Sequence, residues 1–297
     1  MESIFYYLYK DLAYDAKIII QPKFDIYTEG LKESPLRNMA NKSMYIHDFE
    51  RKLGRMHYRR IVPSHNQKQP DYLSSMMQEI EGFLINTGID ENVALQMKEV
   101  LIELVGNAGE HGNSECLIDV DVTENGYTRV DKDTENYYGM NVVIMNYSPV
   151  LFYEPLKRKM MSSDGLTDRY KSVRQAGLFH LSHLTDNYSE NDFYTISSFQ
   201  HRISGNIEKN EIGGTGLTAL LKSLEDQADT HLCYMLTGNR IIFFEKDQMD
   251  YDSANFVGFN KKGRYIDLIP DDDVFQTIKT FFPGVAYNLN YAFKEMV

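Results

Sequence analysis

Residues 100–112 read Val-Leu-Ile-Glu-Leu-Val-Gly-Asn-Ala-Gly-Glu-His-Gly, and the other motifs of the chain are placed relative to this stretch. Apolar residues recur at spacings of three and four from Asp90 onward, and aspartate is a residue type that caps helix N-termini. The spacing predicts an amphipathic helix of about six turns that ends with this stretch. Glu103 and Asn107 fall one turn apart on an edge of the apolar stripe, and His111 falls within it. Because polar side chains beside a core need partners, these three residues are the first candidates for a functional site.

The pair of Glu103 and Asn107 suits metal-nucleotide chemistry. A carboxylate accepts a proton from water, and an asparagine carbonyl is a hard oxygen that can complete the octahedral shell of a phosphate-bound Mg²⁺. The alternative is structural: Asn107 caps or bridges two helices, and His111 is a core histidine satisfied by protein groups. A second motif is needed to decide between these interpretations.

A glycine-rich segment supplies the second motif. Residues 213–218 read Gly-Gly-Thr-Gly-Leu-Thr and precede a segment with helical periodicity. Glycines let a backbone approach a ligand closely, and the free N–H groups of a helix N-terminus attract anions. The pattern predicts a phosphate-binding cradle, with a plain tight turn as the alternative. The residues of this predicted glycine cradle are Gly213, Gly214, Thr215, Gly216 and Leu217.

Both motifs resemble one family. The spacing Glu-x-x-x-Asn-Ala-x-x-His from Glu103 to His111 resembles the N box of the GHKL ATPases, which include gyrases, heat-shock chaperones, histidine kinases and MutL proteins. The His-Gly continuation is most similar to anti-sigma-factor kinases, and the glycine cradle resembles the superfamily's second glycine box. The resemblance implies that ATP and Mg²⁺ are the cofactors. It further implies that Asn107 holds the metal, Glu103 is the general base and His111 contacts the nucleotide.

The base-binding segment departs from the family pattern. A continuous apolar run at residues 142–145 predicts a central strand. The superfamily follows this strand with Asp-x-Gly-x-Gly, whose Asp carboxylate accepts a hydrogen bond from the adenine amino group, whereas this chain has Asn-Tyr-Ser-Pro-Val at residues 146–150. The carbonyl of Asn146 can accept that bond without the assistance of a charge. The resemblance therefore implies Asn146 as the base contact.

The order of predicted elements favours an α+β fold. Helices, strands and a predicted hairpin around Thr237-Gly238-Asn239 suit a two-layer α/β sandwich with helices on one face of a mostly antiparallel sheet. This is the Bergerat-type ATP-binding fold that the resemblance implies. Residues 71–250 are the predicted ATP-binding domain, and residues 151–212 within it correspond to a long lid.

The two ends of the chain lie outside the resemblance. Residues 1–70 form an N-terminal extension of unknown role. Residues 251–297 are predicted to complete the sheet, with a short helix at 271–281 and a strand at 285–293.

The composition of the chain disfavours several classes of partner and location. A net charge of −12 disfavours a sequence-independent grip on nucleic acid or anionic lipid. Apolar runs stay far below the roughly twenty residues that span a membrane. Two cysteines and the absence of a secretion-signal pattern predict a cytoplasmic protein without a disulfide framework.

The resemblance thus implies a Mg²⁺-dependent ATP-binding protein of GHKL type, an ATPase in bacterial-type signalling or regulation that has a protein partner. Two alternatives stay open: a nucleotide-gated interaction module with little turnover, and a serine protein kinase resembling the anti-sigma factors. A homodimer is also open.

Overall fold

The structure, a computed structural model, describes residue 6 and residues 41–50, 56–67, 69–112, 114–127, 137–162, 167–204, 215–228 and 233–294. The helices in this part of the chain are α1 (Lys42–Glu50), α2 (Pro70–Asn86), α3 (Glu91–Asn107), α4 (Glu154–Met161), α5 (Asp168–His180), α6 (Glu190–Ser198) and α7 (Gly216–Gln227). The strands are β1 (His57–Val62), β2 (Cys116–Tyr127), β3 (Tyr137–Tyr147), β4 (Tyr234–Phe243) and β5 (Phe275–Lys294).

The five strands form one sheet in the order β1-β2-β3-β5-β4, and every neighbouring pair is antiparallel. The helices α2–α7 pack on one face of this sheet, and α1 lies on the other, so the predicted α+β fold with helices packed on an antiparallel sheet is confirmed. β5 lies inside the sheet between β3 and β4, which makes the C-terminal segment part of the same structural unit.

The helix that carries the first motif forms as its pattern predicts. The Asp90 side chain accepts hydrogen bonds from the backbone N–H groups of Asn92 and Val93, at 2.9 and 3.3 Å, and so caps α3. α3 packs between α2 and α7. One face is buried against the sheet, and its buried residues are Ala94, Met97, Val100, Leu101, Ile102, Leu104 and Val105. Burial of this face fixes the rotation of the helix about its axis, and with it the direction of Glu103 and Asn107.

The described part of the predicted lid is a packed helical unit. Apolar residues of α4, α5 and α6 join the main core, together with residues of the segment between β4 and β5; they include Leu156, Tyr170, Val173, Phe193, Ile196, Val257 and Tyr265. Both ring nitrogens of buried His180 are hydrogen-bonded, to the Tyr188 hydroxyl at 2.7 Å and to the Tyr265 carbonyl at 2.6 Å. Residues 205–212 of the predicted lid lie outside the described residues.

Two predictions for the C-terminal part are wrong. The expected hairpin around Gly238 is a single strand, β4, whose two halves both pair with β5. Gly238 has a φ of 57° and marks a register shift in that pairing, because glycine tolerates the left-handed region at a bulge as well as at a turn. The expected helix at 271–281 is a turn segment at residues 271–274 followed by the first part of β5, where Arg240 pairs with Thr277 and Ile242 with Phe275.

The other face of the sheet packs against Tyr6 and α1. Tyr6, Tyr45 and Phe49 are fully buried there, and the rings of Tyr6 and Phe49 stack at a centroid distance of 4.2 Å. Arg59 of β1 donates to the Phe49 carbonyl at 3.2 Å and to the Asp119 carboxylate at 2.6 Å, which ties α1 to the sheet. In the described residues, the helices are all too short or too polar to cross a lipid bilayer.

Candidate functional site

A cavity of about 300 Å³ lies between α3, the end of β3, the start of α4 and the start of α7. Residues of both sequence motifs and of the base-binding segment line it. The predicted site residues in this lining are Glu103, Asn107, Asn146, Thr215, Gly216 and Leu217. Gly213, Gly214 and the side chain of His111 lie outside what the structure describes.

Glu103 and Gly216 are in direct contact. A β-carbon built on Gly216 would lie 1.6 Å from Cγ of Glu103 and 2.4 Å from Oε1. The carboxylate-bearing side chain therefore packs against the first residue of α7, at a distance that only glycine permits. This contact joins the two motifs at one end of the cavity.

The start of α7 keeps the properties of an anion site. The first N–H groups of a helix have no partners within the helix and carry a partial positive charge. Thr215 at the N-cap position makes no capping hydrogen bond with its side chain, and the first turn contains no acidic residue. Thr215, Gly216 and Leu217 line the cavity, so an anionic group such as a phosphate at this end would lie beside the Glu103 carboxylate that packs against Gly216.

Asn107 lies one turn beyond Glu103, where the helix changes geometry. The chain continues from α3 into a π-helical turn, Ala108–Gly112, a feature that is frequent at functional sites. In the described part of the chain, the Asn107 side chain makes no hydrogen bond, and both it and Glu110 line the cavity. A polar side chain beside an apolar core is unfavourable without a hydrogen-bond partner, and a bound ligand or ion would supply that partner.

The cavity wall contains side-chain oxygens of the type that Mg²⁺ binds. Asn107 offers an amide oxygen, and Glu103 and Glu110 offer carboxylates in the same cavity wall. Among the described residues, there is no group of three or more His, Cys, Asp or Glu side chains that could hold a metal ion by themselves. Mg²⁺ usually binds through one or two protein oxygens together with phosphates and water, so the protein donors match that mode.

Asn146 defines the opposite end of the cavity. It is 5% exposed, and its Nδ2 donates to Oγ of Ser114 at 3.0 Å. A β-carbon on Gly112 would lie 2.4 Å from that nitrogen, so the π-helical turn closes directly over the amide. The Ser114 carbonyl accepts a hydrogen bond from Gln67 at 2.8 Å, and Ser148 donates to the Gly112 carbonyl at 2.9 Å. These bonds fix the loop that holds the amide in place.

The two ends of the cavity are separated by the last turn of α3 and the π-helical turn that follows it. Nine residues lead from Glu103 to Gly112, which corresponds to roughly 13 Å along a helix axis. The wall between the ends is apolar, and burial raises the pKa of Tyr287 so that its phenol stays neutral. The apolar lining residues include Leu104, Ala108, Ile144, Phe152, Leu156, Ile203, Val285 and Tyr287. The cavity therefore suits an elongated ligand with an anionic end and a neutral, hydrogen-bonding end.

Two cations of the predicted lid, Lys159 and Arg169, are hydrogen-bonded to other groups of the protein. Lys159 is buried and donates to the Tyr170 hydroxyl at 2.8 Å and to the Ser204 carbonyl at 3.1 Å. Arg169 donates to backbone carbonyls of His201 and Ala254. Within the described residues, neither lysine nor arginine lines the cavity. The helix start is thus the electropositive element that the described lining offers to a phosphate.

Several lining residues carry no signal in the sequence. Ser114 partners Asn146 across 32 positions, and Ser198, Ile203 and Ser204 reach the cavity from the end of α6 and the segment after it. None belongs to a recurrent motif. Glu110 does have such a signal, because it lies inside the N-box stretch between Asn107 and His111.

The chain matches no protein-family model, no curated protein and no solved structure. We therefore infer the function from the cavity and from the chemistry of its two ends.

Proposed function

We propose that the chain is a Mg²⁺-dependent ATP-binding protein of GHKL type, and that it acts as an ATPase in signalling or regulation. The observation that carries this proposal is that one cavity is lined by residues of three separate sequence segments: Glu103 and Asn107, Asn146, and residues 215–217. More than a hundred residues separate the first segment from the last. Their convergence on one cavity is what a shared ligand requires. The cavity volume of about 300 Å³ lies at the lower end of ligand-binding pockets.

Each end of the cavity has a role in this proposal. The start of α7 receives the phosphates, because its N–H groups and dipole favour negative charge. The Asn146 amide at the far end hydrogen-bonds the base, and the apolar wall packs against the base and sugar. Asn107 would hold Mg²⁺, which when bound neutralises phosphate charge. Glu103 is exposed and adjoins the start of α7, so water near a bound phosphate can reach its carboxylate.

A second candidate is a nucleotide-gated interaction module with little turnover. The contact between Glu103 and Gly216 supports it, because any ligand at the start of α7 must adjust this contact between α3 and α7. Nucleotide occupancy would then be transmitted to a protein partner through the relative position of the two helices. The serine-kinase variant needs only that a partner hydroxyl replaces water at the exposed Glu103.

Calorimetric titration tests the proposal. ATP, ADP and inorganic tripolyphosphate are titrated into the full chain, each with and without Mg²⁺. We expect binding of ATP that strengthens with Mg²⁺. If no phosphate compound binds under either condition, the proposed function is wrong. If binding occurs but is unchanged by Mg²⁺, the metal role of Asn107 is wrong while the phosphate end stands.

A further inference from the structure

The hydrogen bond at the far end of the cavity can run in either direction. Nδ2 of Asn146 donates to Oγ of Ser114 at 3.0 Å. A serine hydroxyl is both a donor and an acceptor, and an asparagine amide presents an acceptor oxygen and a donor nitrogen of nearly equal size. Rotating the amide by half a turn therefore keeps the bond, with Ser114 donating to Oδ1 instead.

Nothing else in the described residues selects one of the two orientations. The bond to Ser114 is the single hydrogen bond that the described part of the chain gives to the Asn146 side chain, and the Ser114 hydroxyl makes no second one there. The rest of the network holds the loop through Ser114's backbone carbonyl, which accepts from buried Gln67. The plane of the Asn146 amide is thus held in position, whereas either Nδ2 or Oδ1 can face the Ser114 hydroxyl.

The free end of the amide has two forms with opposite chemistry. When Nδ2 faces Ser114, Oδ1 is available and accepts a hydrogen bond from a donor such as the 6-amino group of adenine. When Oδ1 faces Ser114, Nδ2 is available and donates to an acceptor such as the 6-oxo group of hypoxanthine or guanine. A carboxylate at this position would accept only, so it would leave a 6-oxo group facing an anion.

We infer that Asn146 and Ser114 form a reversible pair that admits both 6-amino and 6-oxo purine nucleotides to the cavity. This inference rests on the proposed function, since it assigns the base end of the same site. Asn146 is then the residue that determines base specificity. The Ser114 hydroxyl can accept or donate a hydrogen bond, so it permits both orientations of the Asn146 amide.

The test compares ATP with inosine triphosphate, because the two bases differ in the group at position 6. Both are titrated into the full chain by calorimetry with Mg²⁺, alongside tripolyphosphate. We expect dissociation constants for the two nucleotides within about threefold of each other, a free-energy difference smaller than that of one unsatisfied hydrogen bond. This comparison uses the unmodified chain, so it does not depend on the folding of a variant.

Substitutions then test whether the Asn146 amide determines the ratio of the two nucleotide affinities. Asn146→Asp removes the donor form and should weaken inosine triphosphate relative to ATP by about tenfold or more. Asn146→Leu has a similar size without either polar atom and should weaken both nucleotides while leaving their ratio unchanged. Ser148→Ala is the matched control, because its hydroxyl bonds the Gly112 carbonyl rather than the amide, and it should also leave the ratio unchanged.

The outcomes separate the inference from the proposed function. If the unmodified chain binds ATP tenfold or more tightly than inosine triphosphate, or if Asn146→Asp leaves the ratio unchanged, the reversible pair is overturned and ATP binding stands. If tripolyphosphate binds as tightly as both nucleotides, the base is not held at Asn146 and the inference is again overturned. If none of the three ligands binds, the proposed function fails and the inference falls with it.

Discussion

The side chain of Glu103 lies so close to Gly216 that a β-carbon on the glycine would come within 1.6 Å of Cγ. The two residues are more than a hundred positions apart, on α3 and α7. Their contact places a carboxylate at a helix start that also lines the cavity. It makes the glycine a structural requirement for the position of Glu103, and this relationship can be tested directly.

Gly216→Ala should displace Glu103 from its position beside α7. The added methyl group occupies the space of Cγ, so the glutamate must leave its rotamer or the helices must separate. We expect the free energy of unfolding to fall by about 1–2 kcal/mol and nucleotide binding to weaken. Urea unfolding and calorimetry measure the two effects.

The control for this substitution lies on α3 itself. A β-carbon on Gly106 meets no atom within 4 Å, so Gly106→Ala should raise stability by about 0.5–1 kcal/mol through helix propensity. The double variant Glu103→Ala/Gly216→Ala removes the colliding side chain and should recover most of the lost stability. A Gly216→Ala protein that is as stable as the parent and binds normally would show that the contact has no consequence.

Asn107→Ala should abolish the Mg²⁺-dependent part of nucleotide binding without unfolding the protein. The amide makes no hydrogen bond to described residues, so its removal should change the free energy of unfolding by less than about 0.5 kcal/mol. Calorimetry with and without Mg²⁺ and thermal unfolding measure the two properties.

The matched control is another asparagine whose amide is used by the fold. Asn141 donates to Asn290 at 2.8 Å across β3 and β5, away from the cavity. Asn141→Ala should lower stability and leave nucleotide binding intact. If Asn107→Ala instead melts early and binds Mg²⁺-nucleotide normally, the structural interpretation of Asn107 is correct.

The sequence predicts α3 and its cap because both depend on residues near each other in the chain. Periodic apolar positions give one buried face, and Asp90 supplies the cap wherever the helix packs. The central strand at residues 142–145 is recognisable for a similar reason, since an uninterrupted apolar run is buried on both faces. These elements contribute Glu103, Asn107 and Asn146 to the site.

The remainder of the site depends on tertiary pairing that local patterns do not encode. Gly238 gives the same signal for a turn and for a bulge, and only the hydrogen bonds of β5 decide between them. Ser114 becomes important because Gly112 lets the Asn146 amide approach it. Ser204 reaches the cavity only because the three helices of the predicted lid pack against the core.

Low pH should weaken the connection between α1 and the sheet that Arg59 makes through its bonds to Phe49 and Asp119. Burial raises the pKa of the Asp119 carboxyl, but the hydrogen bond from His57 and the charges of Arg59 and His57 outweigh it, and the net pKa lies below its ordinary value of 3.8. A carboxyl whose pKa is depressed in the folded state stabilises the fold above that ordinary value. Its contribution is lost as the pH falls through the folded-state pKa.

Asp119→Asn should therefore lower the free energy of unfolding by about 3 kcal/mol at neutral pH, because the buried Arg59 charge loses the carboxylate that pairs with it. The difference from the parent should shrink as the pH falls below 4. Urea unfolding from pH 2 to pH 7 measures it. Asp168→Asn is the control: Asp168 pairs with Lys171 at the surface, so salt should screen the pair and stability should change little. A constant difference at all pH values would contradict the role assigned to the Asp119 charge.

Turnover decides between an ATPase and a nucleotide-gated module, and Glu103 is the residue on which the decision depends. If Glu103 is the general base, Glu103→Ala should lower the rate of phosphate release by roughly a hundredfold to ten-thousandfold while ATP affinity stays near that of the parent. Glu110→Gln tests the position of the base, since Glu110 lines the same cavity but is not the residue packed against Gly216. Equal losses in both variants would mean that charge in the cavity, rather than a base at the start of α7, supports turnover. A parent protein that binds ATP but releases no phosphate above background would instead establish the gated module and leave Glu103 as the contact that couples α3 to α7.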